Sequence, residues 1–171
     1  MRKVAMVGCF LALCAISAAA ANYPKAELFG GYQFTHLEGG PNANGWNFAV
    51  NGNFSDSFGI TADLASAYAT ESGVNFSNYT YTFGPVLSLR ADKRYTPFVH
   101  ALIGGDHATA SVPGVSVSGN GFALLAGGGV DFNFNRYLAF RMPQADWMLV
   151  HGNGSTSGKN LRISFGVVVK F

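Results

Sequence analysis

The sequence predicts an all-β chain: eight antiparallel strands closed into an up-and-down transmembrane β-barrel, preceded by a cleaved signal peptide. Three observations carry this. The chain ends in an alternating segment with Leu161, Ile163, Phe165, Val167, Val169 and Phe171 on one face and Arg162, Ser164, Gly166, Val168 and Lys170 on the other. Side chains alternate across a strand with period 2, so the two sets point opposite ways. The same alternation recurs upstream between turn residues. Composition agrees: 12% of residues are charged, against about 25% in soluble domains. A sheet apolar outside and polar inside is what lipid demands of a closed barrel.

The N-terminus is read as a leader. Arg2 and Lys3 precede an apolar run from Val4 to Ala21 that ends in four alanines, an Ala-x-Ala cleavage site before Asn22. No basic stop-transfer flank follows, which argues for a secretory signal over residues 1–21 and a barrel over residues 22–171. Cys9 and Cys14 both fall in the leader, in poor context for a lipidation motif, so the mature chain is expected to have no thiol for disulfides or metal. Removing Arg2 and Lys3 from 11 basic residues leaves nine against nine acidic ones. Nothing in that balance points to nucleic acid.

The strands follow in order. The first, Lys25 to Thr35, sets Leu28, Tyr32 and Phe34 against Glu27, Gln33 and Thr35. The second, Gly45 to Phe54, sets Trp46, Phe48, Val50 and Phe54 against Asn47, Ala49, Asn51 and Asn53. The third, Phe58 to Tyr68, turns Ile60 and Leu64 away from Thr61 and Asp63. The fourth, Asn78 to Arg90, opposes Tyr79, Tyr81, Phe83 and Leu87 to Thr80, Thr82, Ser88 and Arg90. The fifth, Thr96 to Asp106, has two similarly apolar faces and is left unassigned. The sixth, Gly121 to Phe132, puts Gly127, Gly129 and Asp131 opposite Phe122, Leu124, Val130 and Phe132. The seventh, Leu138 to Val150, carries Arg141 and Asp146 at opposite parity, so one inserted residue near Pro143 is needed for both to face inward. The eighth is the terminal segment.

Connections alternate in predicted length. Short turns fall at Ser55–Ser57, Ala91–Tyr95 and Asn133–Arg136. Long Gly-, Ser- and Asn-rich loops are expected over His36–Asn44, Ala69–Ser77, His107–Asn120 and His151–Lys159. Short turns at one end and longer loops at the other fit outer-membrane barrels, with the short turns periplasmic. Aromatic residues near segment ends, among them Trp46, Tyr79, Tyr95, Tyr137 and Trp147, suit the interface girdles of such a wall.

The segments Ala26-Glu-Leu-Phe-Gly-Gly-Tyr32, Thr96-Pro-Phe-Val-His-Ala-Leu-Ile-Gly-Gly105 and Asn160 to Phe171 resemble small outer-membrane β-barrel proteins similar to the OmpA transmembrane domain, over essentially the whole mature chain. The resemblance implies an eight-stranded barrel in a Gram-negative outer membrane. It also implies that the barrel assembly machinery reads the terminal Phe171. The chain ends with the barrel, so no peptidoglycan-binding domain and no cell-wall tether are expected.

Eight strands enclose room only for side chains. The lumen-facing candidates are Glu27, Asp63, Arg90, Asp131, Arg141, Asp146, Arg162 and Lys170. Buried charges must pair, so a neutral network centred on Arg141 and Arg162 is expected, either as a rigid plug or as a gate. His36, His107 and His151 sit near the expected outer loops, where a shared metal rim was weighed against solvated loop histidines. His151 with Ser155 and Ser157 is the only local candidate for a lipid-modifying site, and it lacks a rigid acid. Gly127-Gly128-Gly129 is no phosphate loop, since no helix or lysine follows. It is read as relief of crowding in the wall. The expectation is therefore a non-enzymatic, monomeric barrel in contact with outer-membrane lipid, without cofactor or metal, serving envelope structure or surface contact. The alternatives are a small porin-like or gated conduit, an outer-leaflet lipid enzyme, and a soluble lipocalin-like binder.

Overall fold

The computed structural model describes residues 23–171 apart from 72, 93 and 153, so the expected leader lies outside the described residues. The strands are β1 (Ala26–His36), β2 (Asn42–Asn53), β3 (Phe58–Glu71), β4 (Val74–Ser88), β5 (Tyr95–Val112), β6 (Val115–Asn133), β7 (Leu138–Gly152) and β8 (Ser155–Lys170). Each pairs antiparallel with the next, and β1 pairs with β8 from Glu27↔Lys170 to His36↔Leu161, closing the barrel. Closure leaves no sheet edge through the wall, so backbone groups there are satisfied between strands, as a lipid-immersed sheet requires. The ends are tied as well: the Phe171 N–H donates to the Ala26 carbonyl at 2.8 Å, and the Lys25 N–H donates to the Phe171 carbonyl at 2.7 Å.

The alternation in the sequence is the alternation of the wall. Trp46, Phe48 and Val50 face outward while Asn47, Ala49, Asn51 and Asn53 are buried inside. Outward rows on β3, β4 and β8 repeat the pattern, with Ile60, Leu64, Phe83, Leu87, Phe165 and Val167 exposed. On this face Tyr81 lies over its register partner Gly105, and a Cβ there would collide with the ring. Aromatics pair across strands toward both ends: Tyr68 and Tyr79 meet edge-on near one, Tyr95 and Phe132 near the other.

The expected insertion in β7 is present. Asp131 pairs with Arg141 and Gly129 with Gln144, so Met142 and Pro143 together oppose the single residue Val130. The peptide before Pro143 is cis. Met142 and Pro143 are exposed, while Arg141, Gln144 and Asp146 are all buried in the lumen.

One expectation needs correction, and the facing left open for the fifth strand is settled. Three of the four long loops are strand almost to their tips: β5 and β6 are separated only by Pro113 and Gly114. Gly73, Gly114 and Gly154 adopt φ of +80°, +86° and +77°, the left-handed geometry that lets a hairpin reverse in the fewest residues. Small polar residues there read as loop by composition, yet cross-strand pairing such as Thr109↔Ser118 satisfies their backbone. Of the four, the β1–β2 connection keeps a loop, residues 37–41. The fifth strand has a definite facing: Thr96, Phe98, His100, Leu102 and Asp106 point inward. Phe98 and Leu102 made its two faces look alike because part of this lumen is apolar.

Candidate functional site

Among the described residues, charged and hydrogen-bonding side chains converge in the lumen. Arg162 projects from β8 and reaches across to β3 and back to β7. Its Nη1 lies 2.7 Å from Asp63 Oδ1, its Nη2 2.7 Å from Asp146 Oδ2 and its Nε 2.9 Å from the same Asp146 oxygen. Its side chain is 2% exposed. Such a guanidinium is stable only when its donors meet carboxylates, since desolvating an unpaired charge costs several kcal/mol.

Arg141 forms a second centre one strand over. Its Nε and Nη2 grip the two oxygens of Asp131 at 2.7 and 3.1 Å. This is the bidentate geometry that favours arginine over lysine. The guanidinium is stacked between Phe98 and Phe29, with its central carbon 4.0 and 4.7 Å from the ring centroids. Gln144 joins the two centres: its side-chain oxygen accepts from Arg141 Nη1 at 3.2 Å and its amide donates to Asp146 at 2.8 Å. His100 Nε2 adds a 2.7 Å contact to Asp146 Oδ1, and Asn47 donates to Asp63 at 2.8 Å.

The third centre is Glu27, toward the end where β1 begins and β8 ends. Arg90 Nη2 approaches its carboxylate at 3.3 Å and Lys170 Nζ at 3.7 Å. Asn51 donates to the same group at 3.3 Å. Arg90 also donates to the Asp56 carbonyl in the β2–β3 turn. All eight charges read from the sequence therefore meet within the lumen, in three linked or neighbouring groups around Arg162, Arg141 and Glu27. Phe171 lies apart, with its ring exposed on the outside.

Two participants were missed, His100 and Gln144, and so was Asp106, which lies apart from the network nearer the outer mouth. Gln144 was hidden by the β7 insertion, which shifts parity at that point. His100 and Asp106 share parity with Thr96, opposite Val99 and Ile103, so the signal was present in the polar members of β5 alone. The glycine run also has its reason. A Cβ at Gly127 would collide with the Asp146 carboxylate and the Ala145 carbonyl, and one at Gly129 with the Pro143 carbonyl of β7.

Above the charges the lumen turns apolar. Leu102, Ala123, Leu125 and Met148 form a buried layer, with Leu37 and Val150 packed against it. The outer histidines are not brought together. His36, His107 and His151 each bond their own cross-strand partner, Asn42, Asn120 and Thr156, all at 2.7 Å. Among the described residues no group of three or more His, Cys, Asp or Glu side chains is placed to hold a metal. His151 bonds Thr156, whereas Ser155 and Ser157 lie on the opposite face of β8.

An eight-stranded closed sheet, apolar outside and charged within, defines an integral membrane β-barrel. The chain belongs to the outer membrane protein beta-barrel domain family, whose model matches residues 6–171, and its place is the outer membrane. It is similar in structure to Neisserial surface protein A, at 12% identity and a TM-score of 0.70 over 85% of this chain and 96% of that one. It is also similar to Ail, the attachment invasion locus protein of Yersinia pestis, at 20% identity and a TM-score of 0.61 over 87% and 99%. The N-terminal β-barrel domain of Pseudomonas aeruginosa OprF matches at 11% identity and a TM-score of 0.60 over 86% and 98%. No curated protein matches the sequence.

Proposed function

We propose that this protein is a non-conducting, non-enzymatic outer-membrane barrel that contributes to envelope structure and to contact at the cell surface. The observation that carries the reading is the Asp63–Arg162–Asp146 bridge across the lumen. Together with the apolar layer of Leu102, Leu125 and Met148 it leaves two successive obstructions on the barrel axis. The separation of His151 from Ser155 and Ser157 supports a role without catalysis, since a serine nucleophile needs a base within hydrogen-bond reach.

On this reading a signal peptide over residues 1–21 exports the chain, and the barrel assembly machinery recognises the β8 segment ending in Phe171. The mature barrel works as a monomer in outer-membrane lipid, with its termini periplasmic. The hairpins β3–β4, β5–β6 and β7–β8 then face the outside. Planar-bilayer recording tests the reading. Purified protein should give no discrete conductance steps, and neither should Arg141→Ala. Steps in the wild type that change size in Arg141→Ala would establish a gated conduit instead.

A further inference from the structure

We propose that the outer mouth of the barrel is a binding site for a small amphiphilic amine, with an apolar body in the barrel cup and a cationic nitrogen on Asp106. The inference needs only the fold and does not depend on whether the barrel conducts. At the end away from the termini the lumen opens into a cavity of about 450 Å³. That is within the range of roughly 300–1,000 Å³ typical of small-molecule sites. Its wall mixes apolar side chains, among them Ala67, Ala69, Phe76, Ala108, Ala110 and Val117, with small polar ones such as Ser77, Thr109 and Ser118. Leu37 and Val150 line it and pack against the buried Leu102, Ala123, Leu125 and Met148 layer, which lies between the cavity and the charge network.

One carboxylate lines this cavity. Asp106 is 4% exposed. Asn78 Nδ2 donates to its Oδ1 at 2.7 Å, and among the described residues Oδ2 receives no hydrogen bond. The neighbouring His107 turns to the other face and bonds Asn120. The other lumen acids, Glu27, Asp63, Asp131 and Asp146, each sit against a lysine or arginine. Asp106 alone among them has no such partner in the described residues. A buried carboxylate without a cation carries an uncompensated desolvation cost. A ligand ammonium would relieve it through a charge-assisted hydrogen bond, while its hydrocarbon part covers the alanine wall. An anion would meet repulsion, and a neutral alcohol would gain only the apolar contact.

The test uses the full barrel, isotopically labelled and held in lipid nanodiscs, titrated with n-hexylamine and, separately, n-hexanol. Amide chemical shifts at Ala108, Ala110, Gly119 and Gly121 report the site. Hexylamine should saturate these shifts at a concentration at least tenfold lower than hexanol. Asp106→Asn should remove that preference, and Ala110→Phe, which fills the cup but keeps the carboxylate, should abolish both titrations. Equal affinity of amine and alcohol for the wild type would overturn the proposal. So would unchanged amine affinity in Asp106→Asn, or perturbation confined to lipid-facing residues. If Asp106→Asn does not fold, the wild-type comparison and Ala110→Phe decide the question.

Discussion

Arg162 and Asp63 are 99 residues apart in sequence and 2.7 Å apart in space, joined across the barrel from β8 to β3. The pair, with Asp146 on the far side of the guanidinium, links strands that share no backbone ladder. It therefore acts as a cross-brace. Removing Arg162 leaves two buried carboxylates without their guanidinium, and breaking a buried pair in this way costs about 3–5 kcal/mol. Arg162→Met should lower the unfolding free energy of the barrel by that amount and shift its urea midpoint down in proportion. Adding Asp63→Asn and Asp146→Asn to Arg162→Met should recover much of the loss, because the stranded charges are then gone. Unfolding followed by heat-modified gel mobility in liposomes measures both.

The wall has to make room for this brace. Gly127 sits where any side chain would strike the Asp146 carboxylate, whereas Gly30, on the outer face, has open space around its Cβ position. Gly127→Ala should therefore displace Asp146, weaken its bonds to Arg162 and destabilise the barrel by about 1–3 kcal/mol, as overpacking does. Gly30→Ala should be neutral or slightly stabilising. Equal effects of the two substitutions would mean that backbone freedom, and not space for the carboxylate, is what Gly127 provides.

The loop between β1 and β2 is fastened by a different device. The Glu38 carboxylate accepts from the backbone N–H groups of Gly158 and Lys159 at 3.0 and 3.1 Å, and the Glu38 N–H donates to Asn160 at 2.8 Å. Those two amides, first Gly158 and then Lys159, hold the Glu38 pKa below its usual value. The Lys159 ammonium at 3.6 Å is exposed and adds little. A depressed carboxylate contributes its tether fully above the unfolded pKa and loses it as pH falls through the folded one. The Gly158 and Lys159 amide shifts should move together with the Glu38 carboxyl in an NMR titration, with a midpoint below the free value of roughly 4.3. In Glu38→Ala those amides should already sit at their low-pH positions at neutral pH.

Much of this architecture was legible in the sequence because lipid imposes a strict period. Trp46, Phe48 and Val50 cannot face inward without putting Asn47 and Asn51 into hydrocarbon, so a single strand fixes the facing. Even the β7 insertion was visible, since Arg141 and Asp146 could share the lumen only if parity slipped between them. The strand ends were not legible. Residues such as Thr109 and Ser118 have no sequence mark that separates a loop from a hairpin standing beyond the membrane, because solvated strands need no apolar face. The apolar upper lumen was equally hidden: Leu102 inside and Ile103 outside read alike. That concealed the facing of β5 and, with it, His100 and Asp106.

The direction of the wall is the premise on which the cross-brace and the cup both stand, and β2 and β3 test it directly. Phe48 and Leu64 are register partners on the outer face, about midway along their strands, while Asn47 on the inner face donates to Asp63. An arginine on the lipid face at mid-depth costs about 2–4 kcal/mol. Leu64→Arg should therefore lower folding stability in phospholipid bilayers by that amount, and Tyr95→Arg, near the girdle, by about 0–1 kcal/mol. Nitroxide labels should agree with the energetics. At Phe48 and Val50 the label should relax with lipid-soluble oxygen, and at Asn51 it should not. A label at Phe48 that relaxes with a water-soluble nickel chelate, together with no depth dependence between Leu64→Arg and Tyr95→Arg, would turn the barrel inside out.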